Sequence, residues 1–352
     1  MTQAIEVGVL GATGMVGQQF LRLLDGHALF KPVWLAASER SEGKRYEEAA
    51  TWRLGGRTPE FARPMSVEAC VPGRGPRLVF SALDARAADE LEPAFAAAGH
   101  VVVSNARSFR MMDDVPLLIP EINPDHLALI AQQRRTRGWT GAIVTNPNCS
   151  TVVLAMVLAP LRQFGLEAAV ITTLQAISGA GYPGVPSFDI LANVIPGIAG
   201  EEEKIESEAN KILGDLTGGR VVPHRVRVSA HTNRVPVVDG HTLTASVKLK
   251  DRPSSEQIVE AMRDWRGRPQ ELALPSAPKH PIEVEVDGFR PQPRLDADRG
   301  GGMTITVGRV RPCPILDTKF VAMGHNTVRG AAGAAILNAE LMLADGWLQE
   351  EA

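Results

Sequence analysis

The sequence predicts an α/β fold: a doubly wound parallel sheet, followed by a second α+β domain whose sheet is mainly antiparallel. Three observations carry that reading. The first part of the chain alternates short β-branched runs with helical patterns, the rhythm of parallel strands joined by crossover helices. Beyond residue 149 the texture changes to longer strands of alternating apolar and polar residues, as in antiparallel sheets. The length of 352 residues is enough for two cores at about 150 residues each.

In chain order, Ala4–Leu10 reads as a strand, Met15–Leu24 as a helix and Pro32–Ala37 as a second strand. Arg77–Ser81 and Val101–Ser104 continue the series with the alanine-rich Ala85–Ala98 as a helix between them, and Ile143–Thr145 is the last short strand. Ser150–Phe164 is an apolar helix. The longer strands are expected at Ala168–Ala176, Arg225–Thr232, His241–Leu249, Ile282–Val286 and Met303–Val310; Arg290–Gly302 reads as a loop. Asn326–Leu348 is a strong helix whose small residues permit close packing, and it is expected to return to the first domain. The resulting division is residues 1–148 plus 326–352 in one domain and 149–325 in the other.

Apolar and charged fractions of 44% and 22% are those of an ordinary globular chain. A net charge of −3 gives no electrostatic reason to expect nucleic acid or an acidic membrane as partner. No apolar run approaches the ~18–20 residues of a membrane span, and the N-terminal MTQAIEVGVLGATG lacks the features of a secretory signal. Cys70, Cys149 and Cys313 are too few and too far apart for a metal cluster or a disulfide framework. No metal is therefore expected, and the compartment is read as reducing and cytoplasmic.

Gly11-Ala12-Thr13-Gly14-Met15-Val16-Gly17 follows the first strand and opens the first helix. In that context backbone N–H groups and the helix N-terminus can face a pyrophosphate, as in a Rossmann-type sheet. The bland alternative is a tight strand–helix turn without a ligand. At the end of the second strand, Arg40 and Lys44, with Ser38 and Ser41 as donors, suit the 2′-phosphate of NADP. Glu39 would serve NAD instead if it faced inward.

Cys149 stands at a strand-to-helix junction, Thr145-Asn146-Pro147-Asn148-Cys149-Ser150-Thr151. The positive end of the helix dipole there is expected to lower the thiol pKa. Cys70 and Cys313 read as inert structural cysteines. A thiolate needs an acid–base partner, and His241 follows an Asp239-Gly240 turn that would set it on a strand adjacent to the one carrying Arg234, both facing one cleft. His231 and His325 are rivals. Ser104–Arg110 follows a strand where such sheets place ligand loops. Gly200-Glu201-Glu202-Glu203-Lys204 opens a helix with Glu201 and Lys204 on one face, either as a site or as a solvated acidic first turn.

GATGMVG, SNARSFR, TNPNCSTVV, LQAISGAGYPG, GEEEKIESEANKIL, RVPVVDGH and HNTVRGAAGAA occur in this order over nearly the whole chain. Together they resemble the aspartate-semialdehyde dehydrogenase family, and LQAISGAGYPG and RVPVVDGH resemble its archaeal and fungal branch. The resemblance implies the reversible conversion of L-aspartyl 4-phosphate and NADPH into L-aspartate 4-semialdehyde, NADP and phosphate. It implies Cys149 as nucleophile, His241 as acid–base group and Gln175 as orienter of the acyl group. Arg234 would hold the substrate α-carboxylate and Glu201 its ammonium, beside Asn148; Arg110 and Lys204 would form the phosphate site. Gly11, Thr13, Gly14, Met15, Val16, Ser38, Arg40, Ser41, Ser178, Gly179 and Asn326 would hold the cofactor. The implied assembly is a homodimer or homotetramer.

Two other readings stay open. Malonyl-CoA reductase shares the scaffold, but its substrate has no ammonium to need Glu201. A non-catalytic NADP-binding regulatory protein would have no need of Cys149 together with a base and two cationic sites.

Overall fold

A computed structural model describes residues 4–348. Residues 1–3 and 349–352, the outer ends of the expected first domain, lie outside the described residues. The strands β1 (Ile5–Leu10), β2 (Phe30–Ala37), β3 (Val67–Ala69), β4 (Leu78–Ser81), β5 (Val101–Ser104) and β6 (Ala142–Thr145) form one parallel sheet in the order β3-β2-β1-β4-β5-β6. The chain leaves β1 in one direction and returns to build on its other side at β4. That reversal opens a crevice at the carboxyl ends of β1 and β4.

Both faces of this sheet are covered, which is why every residue of β4, β5 and β6 is buried. Val7, Val9, Phe80 and Val103 pack with Phe20 and Leu24 of helix α1 (Met15–Leu24). Leu10, Val79 and Val102 point the other way, towards Phe95 and Ala96 of α2 (Ala85–Ala97). Helix α3 (Leu129–Arg137) then leads to β6. A methyl group on Gly17 would lie 2.2 Å from the carbonyl oxygen of Gly11, so only glycine lets α1 sit this close to the turn before it.

Helix α4 (Cys149–Leu158) is apolar all round, and each residue from Ser150 to Leu158 is buried. A helix of that kind has to lie inside the protein; its side chains join the core of the second sheet. The helix predicted over 150–164 changes to 3-10 geometry at Ala159, next to Pro160. Beyond it come β7 (Leu166–Gln175), the short β8 (Ile195–Pro196), α5 (Glu201–Ile212), the hairpin of β9 (Asp215–Thr217) and β10 (Arg220–Val222), β11 (Arg227–Arg234) and β12 (His241–Leu249). Helix α6 (Ser255–Asp264), β13 (Ile282–Val284), β14 (Ile305–Pro312) and β15 (Thr318–Gly324) complete this part.

The second sheet runs β13-β14-β15-β12-β7-β11-β8. It is mainly antiparallel; only β7–β11 and β13–β14 are parallel. This corrects one detail of the sequence reading. Arg234 and His241 are not on adjacent strands, because β7 lies between β11 and β12. The Asp-Gly turn therefore steps over a strand, and Gln175 pairs in register with Arg234.

Two further expectations change. Arg290–Gly302 contains helical turns at Pro293–Asp296 and Arg299–Gly302, drawn together because buried Asp296 pairs with both Arg290 and Arg299. The segment predicted as one helix over 326–348 begins with a π-helical turn, Val328–Ala332, before α7 (Gly333–Ala344). Ile336, Leu337 and Met342 of α7 pack with Phe20 and Val103 in the core of the first sheet.

Candidate active site

A cleft of about 420 Å³ brings together Met15 and Val16 from α1, Cys149 from α4, Glu201 from α5 and the ends of the second sheet. Arg110, Asn148, Gln175, Ser178, Gly179, Lys204, Arg234 and Asn326 also line it. Residues distant in sequence thus share one wall. Arg107, from the expected ligand loop Ser104–Arg110, lines it as well, as do Thr327, Gly330 and Ala331, which were not singled out from the sequence.

Cys149 is the first residue of α4, and the Asn148 amide oxygen caps this helix by accepting from the Ser150 and Thr151 N–H groups at 2.9 and 3.2 Å. A short polar side chain at this position satisfies donors that the helix itself leaves open. The Asn148 amide nitrogen donates to Glu201 Oε2 at 2.8 Å. A methyl on Gly330 would lie 2.6 Å from the Cys149 Cβ, so the π-helical turn passes directly against Cys149, and only glycine lets it.

The expected lowering of the Cys149 pKa does not hold in the structure. Burial and then the charge of Glu201 push the thiol up to about 12, against the smaller pull of Arg110 and Arg234. The dipole of one helix end is weaker than removal of a thiolate from water beside a carboxylate. Burial, then Arg234 and His325, pull His241 down to about 3. Thiol and imidazole are thus both neutral at rest. Iodoacetamide should accordingly modify Cys149 in the ligand-free protein at a rate rising about tenfold per pH unit between about pH 7 and 9. A flat rate over this range would mean a thiolate–imidazolium pair instead.

Cys70 behaves as expected, with its thiol pushed up by burial. Cys313 does not. Its slight burial opposes ionisation, but backbone N–H groups, including that of Leu316 at 3.4 Å from Sγ, hold the thiol below its usual value.

His241 opens β12 beside the end of β7, and its Nδ1 accepts the Ala176 N–H at 3.1 Å. That bond selects the neutral tautomer with hydrogen on Nε2. Nε2 is buried with no hydrogen-bond partner among the described residues. A methyl on Gly179 would lie 2.8 Å from Arg234 Nη1 and 3.1 Å from His241 Nε2, which places both groups against the same turn. Arg234 is buried and donates Nη1 to the Ala176 carbonyl at 2.7 Å.

The acidic first turn of α5 is not a solvated face. Glu201 is buried, and Lys204 Nζ donates to its Oε1 at 2.7 Å. Burial works against ionisation of Glu201, but Lys204 and the amides of Asn148 and Gln175 together hold the carboxyl below its usual range. Glu202 and Glu206 accept the Thr232 and Ala230 N–H groups of β11. Arg110 is buried, with Nη1 3.0 Å from Glu208 Oε1, Nη2 2.8 Å from the Asn105 carbonyl, and Nε buried without a partner among the described residues.

At the other end of the cleft, Gly11 has a left-handed φ of 73°, and Gly14 begins α1 without a side-chain cap. The first N–H groups of α1 thereby face the crevice rather than a capping side chain. Asn326 joins two turns, donating to Ser178 Oγ at 2.8 Å and accepting the Gly240 N–H at 2.9 Å. Ser38, Glu39 and Arg40 are exposed at the end of β2, while Ser41 is buried. Lys44 turns back to donate to the Arg40 carbonyl at 2.8 Å. Gly11, Thr13, Gly14 and these β2 residues lie outside the lining of the cleft itself, as does His241, which sits behind Gly179.

Two family models match the chain: the semialdehyde dehydrogenase NAD binding domain over residues 6–130 and the semialdehyde dehydrogenase dimerisation domain over residues 158–329. An aspartate-semialdehyde dehydrogenase of Methanothermobacter thermautotrophicus is 51% identical over 343 residues, covering 96% of this chain and 99% of its own. One from Archaeoglobus fulgidus is 50% identical, covering 96% and 98%. The crystal structure of the Candida albicans aspartate-semialdehyde dehydrogenase with NADP superposes with a TM-score of 0.89 at 42% identity, covering 98% of this chain and 99% of the other. Similarity of this extent, over both sheets and the cleft between them, shows that the chain belongs to the aspartate-semialdehyde dehydrogenase family.

Proposed function

We propose that this cleft converts L-aspartyl 4-phosphate reversibly into L-aspartate 4-semialdehyde and phosphate, through a thioester on Cys149, with NADP as cofactor. The observation that carries the reading is Glu201: a buried carboxylate held ionised in the same cleft as a cysteine and Arg234. A substrate with both an ammonium and a carboxylate group meets both charges. The residues also fit the cofactor, since uncapped α1 and its glycines leave open N–H groups for a pyrophosphate. Met15 and Val16 continue this surface towards Cys149, with Ser178, Gly179 and Asn326 opposite. Arg40, Ser38 and Ser41 supply donors for a 2′-phosphate beyond it. Bound there, NADP accepts hydride in the oxidative direction and NADPH donates it in the reductive one.

The chain does the remaining work. Cys149 sulfur attacks the acyl carbon of aspartyl phosphate; the carbon–oxygen bond to phosphate breaks, the departing phosphate takes the thiol proton and a thioester forms. Arg110 and Lys204 take up the charge of the departing phosphate. His241 then meets the acyl oxygen through Nε2. In the resting tautomer this atom donates, which suits an oxygen becoming negative during reduction. Accepting a proton there, as oxidation requires, needs the other tautomer and loss of the Ala176 bond. Gln175 and Asn148 orient the acyl group and Glu201. Lys204 is paired with Glu201 at rest, and the substrate ammonium would take its place, releasing Lys204 to phosphate.

The test is NADPH formation from aspartate semialdehyde and NADP with and without phosphate, run beside malonyl-CoA reduction. Activity with malonyl-CoA alone would overturn the reading. Within the same assay Arg234→Ala should raise the KM for aspartate semialdehyde by about 10²-fold or more, as expected for loss of a charge-assisted bidentate contact. An unchanged KM would remove Arg234 from the substrate site.

The division into a cofactor domain, 1–148 with 326–352, and a catalytic domain, 149–325, is part of this proposal. Val170 and Leu174 are exposed on β7, on the face of the second sheet away from its core. Together with the matched dimerisation domain this supports a homodimer or homotetramer through that sheet. A cytoplasmic location accords with biosynthetic chemistry on a free thiol.

A further inference from the structure

Helix α5 carries more than Glu201 and Lys204. Residues 201, 204, 208 and 211 lie on one face of a 3.6-residue helix, and Glu208 and Lys211 are as buried as Glu201. Glu208 is bidentate in an unusual sense. Its Oε1 pairs with Arg110 Nη1 at 3.0 Å, while its Oε2 accepts the backbone N–H of Asn148 at 2.6 Å, one residue before the nucleophile. Lys211 Nζ donates to the carbonyls of Arg110, Met112 and Val115 at 2.7, 2.7 and 2.9 Å. One turn apart, the two side chains thus grip the Arg110 side chain, the backbone that bears it and the turn that bears Cys149. Arg110 Nε, buried in the cleft wall without a partner among the described residues, marks where an anion would complete the set.

We propose that Glu208 and Lys211 are positioning residues for the acyl-phosphate step, holding Arg110 in register with Cys149. This rests on the proposed function above. Phosphate oxygen attacks the thioester carbon and the carbon–sulfur bond breaks, with its electron pair returning to sulfur. Arg110 serves that exchange only if its guanidinium stays within a fraction of an ångström of the approach line, since misplacement by about 1 Å can cost 10²-fold. Lys211 touches only the Arg110–Val115 loop, whereas Glu208 also touches the nucleophile turn. The two residues should therefore fail differently.

The experiment separates the half-reactions in the oxidative direction. NADPH formed in the first turnover, before phosphate acts, reports thioester formation; steady-state turnover reports its cleavage by phosphate. Lys211→Met should raise the KM for phosphate about tenfold or more while the first-turnover rate stays within about twofold of wild type. Glu208→Gln should slow both phases. Glu208→Asp keeps the charge but is a methylene short of bridging Arg110 and Asn148; it should raise the phosphate KM and supplies the answer if Lys211→Met does not fold, as judged by its melting curve. A phosphate KM equal to wild type in the folded variants would overturn the proposal. So would an equal fall in both phases in Lys211→Met, which is the mark of general disorder. Wild-type protein that forms no phosphate-dependent NADPH would instead sink the function proposed for the site.

Discussion

Replacing Cys149 with serine is expected to reduce turnover by at least about 10⁴-fold while the affinity for NADP stays within about twofold of wild type. Serine preserves the volume at the start of α4, so the Asn148 cap and the contact with Gly330 survive. What is lost is an atom able to bear negative charge. The surroundings already push the thiol up to about 12, and an alcohol in the same place is several units harder to ionise. The surface proposed for the cofactor, built from α1 and the turns at Ser178 and Asn326, does not depend on the sulfur. Turnover assays and fluorescence titration with NADP check both halves. Retention of even a hundredth of the activity would mean that the reaction passes through no covalent thioester.

Arg329→Met is expected to lower the free energy of unfolding by about 3–5 kcal/mol, the cost of leaving one member of a buried ion pair alone. Arg329 is the largest fully buried side chain among the described residues, and its guanidinium meets Glu121 in two bonds of 2.7 Å, with Met156 Sδ at 2.9 Å. Methionine fills much of the volume but leaves the carboxylate in the interior. The double variant Arg329→Met/Glu121→Leu should regain most of the loss, since a well-packed apolar pair is often as stable as the ions it replaces. Urea unfolding of the single and double variants decides it; a double variant no better than the single would assign the effect to packing. The pair has a second consequence. Arg329 immediately precedes Gly330, so it anchors the π-helical turn that lies against Cys149.

Those two residues differ in how they could be found. Cys149 was visible because its context is contiguous: a strand, a proline-containing turn and the first residue of a helix lie within a few positions. The glycine loop was visible for the same reason. Both are local structures whose backbone requirements appear directly as residue types. Arg329 looked like one polar residue in a helix of small ones. Its partner is 208 positions away, and nothing nearby in the chain points to Glu121. Glu208 and Lys211 fall between these cases. Carrying the Glu201–Lys204 spacing two turns further along the helix would have placed them on the same face, but not told which loop they hold.

The fold class, most strands and helices of the first sheet, and the local settings of Cys149 and the glycine turn were legible in the sequence itself, because hydrophobic period and turn chemistry act over a few residues; the short edge strand Val67–Ala69 and the helix Leu129–Arg137 were not. Only the tertiary structure decided the insertion of β7 between the strands of Arg234 and His241. It likewise decided the π-helical turn at Val328 and the neutral state of the thiol and imidazole. The reason is common to all three. Strand neighbours, close backbone approach and electrostatic energy in a water-poor cleft depend on distance through space, and there Glu201 adds to the burial of Cys149 while the helix end before it can offset only part of both.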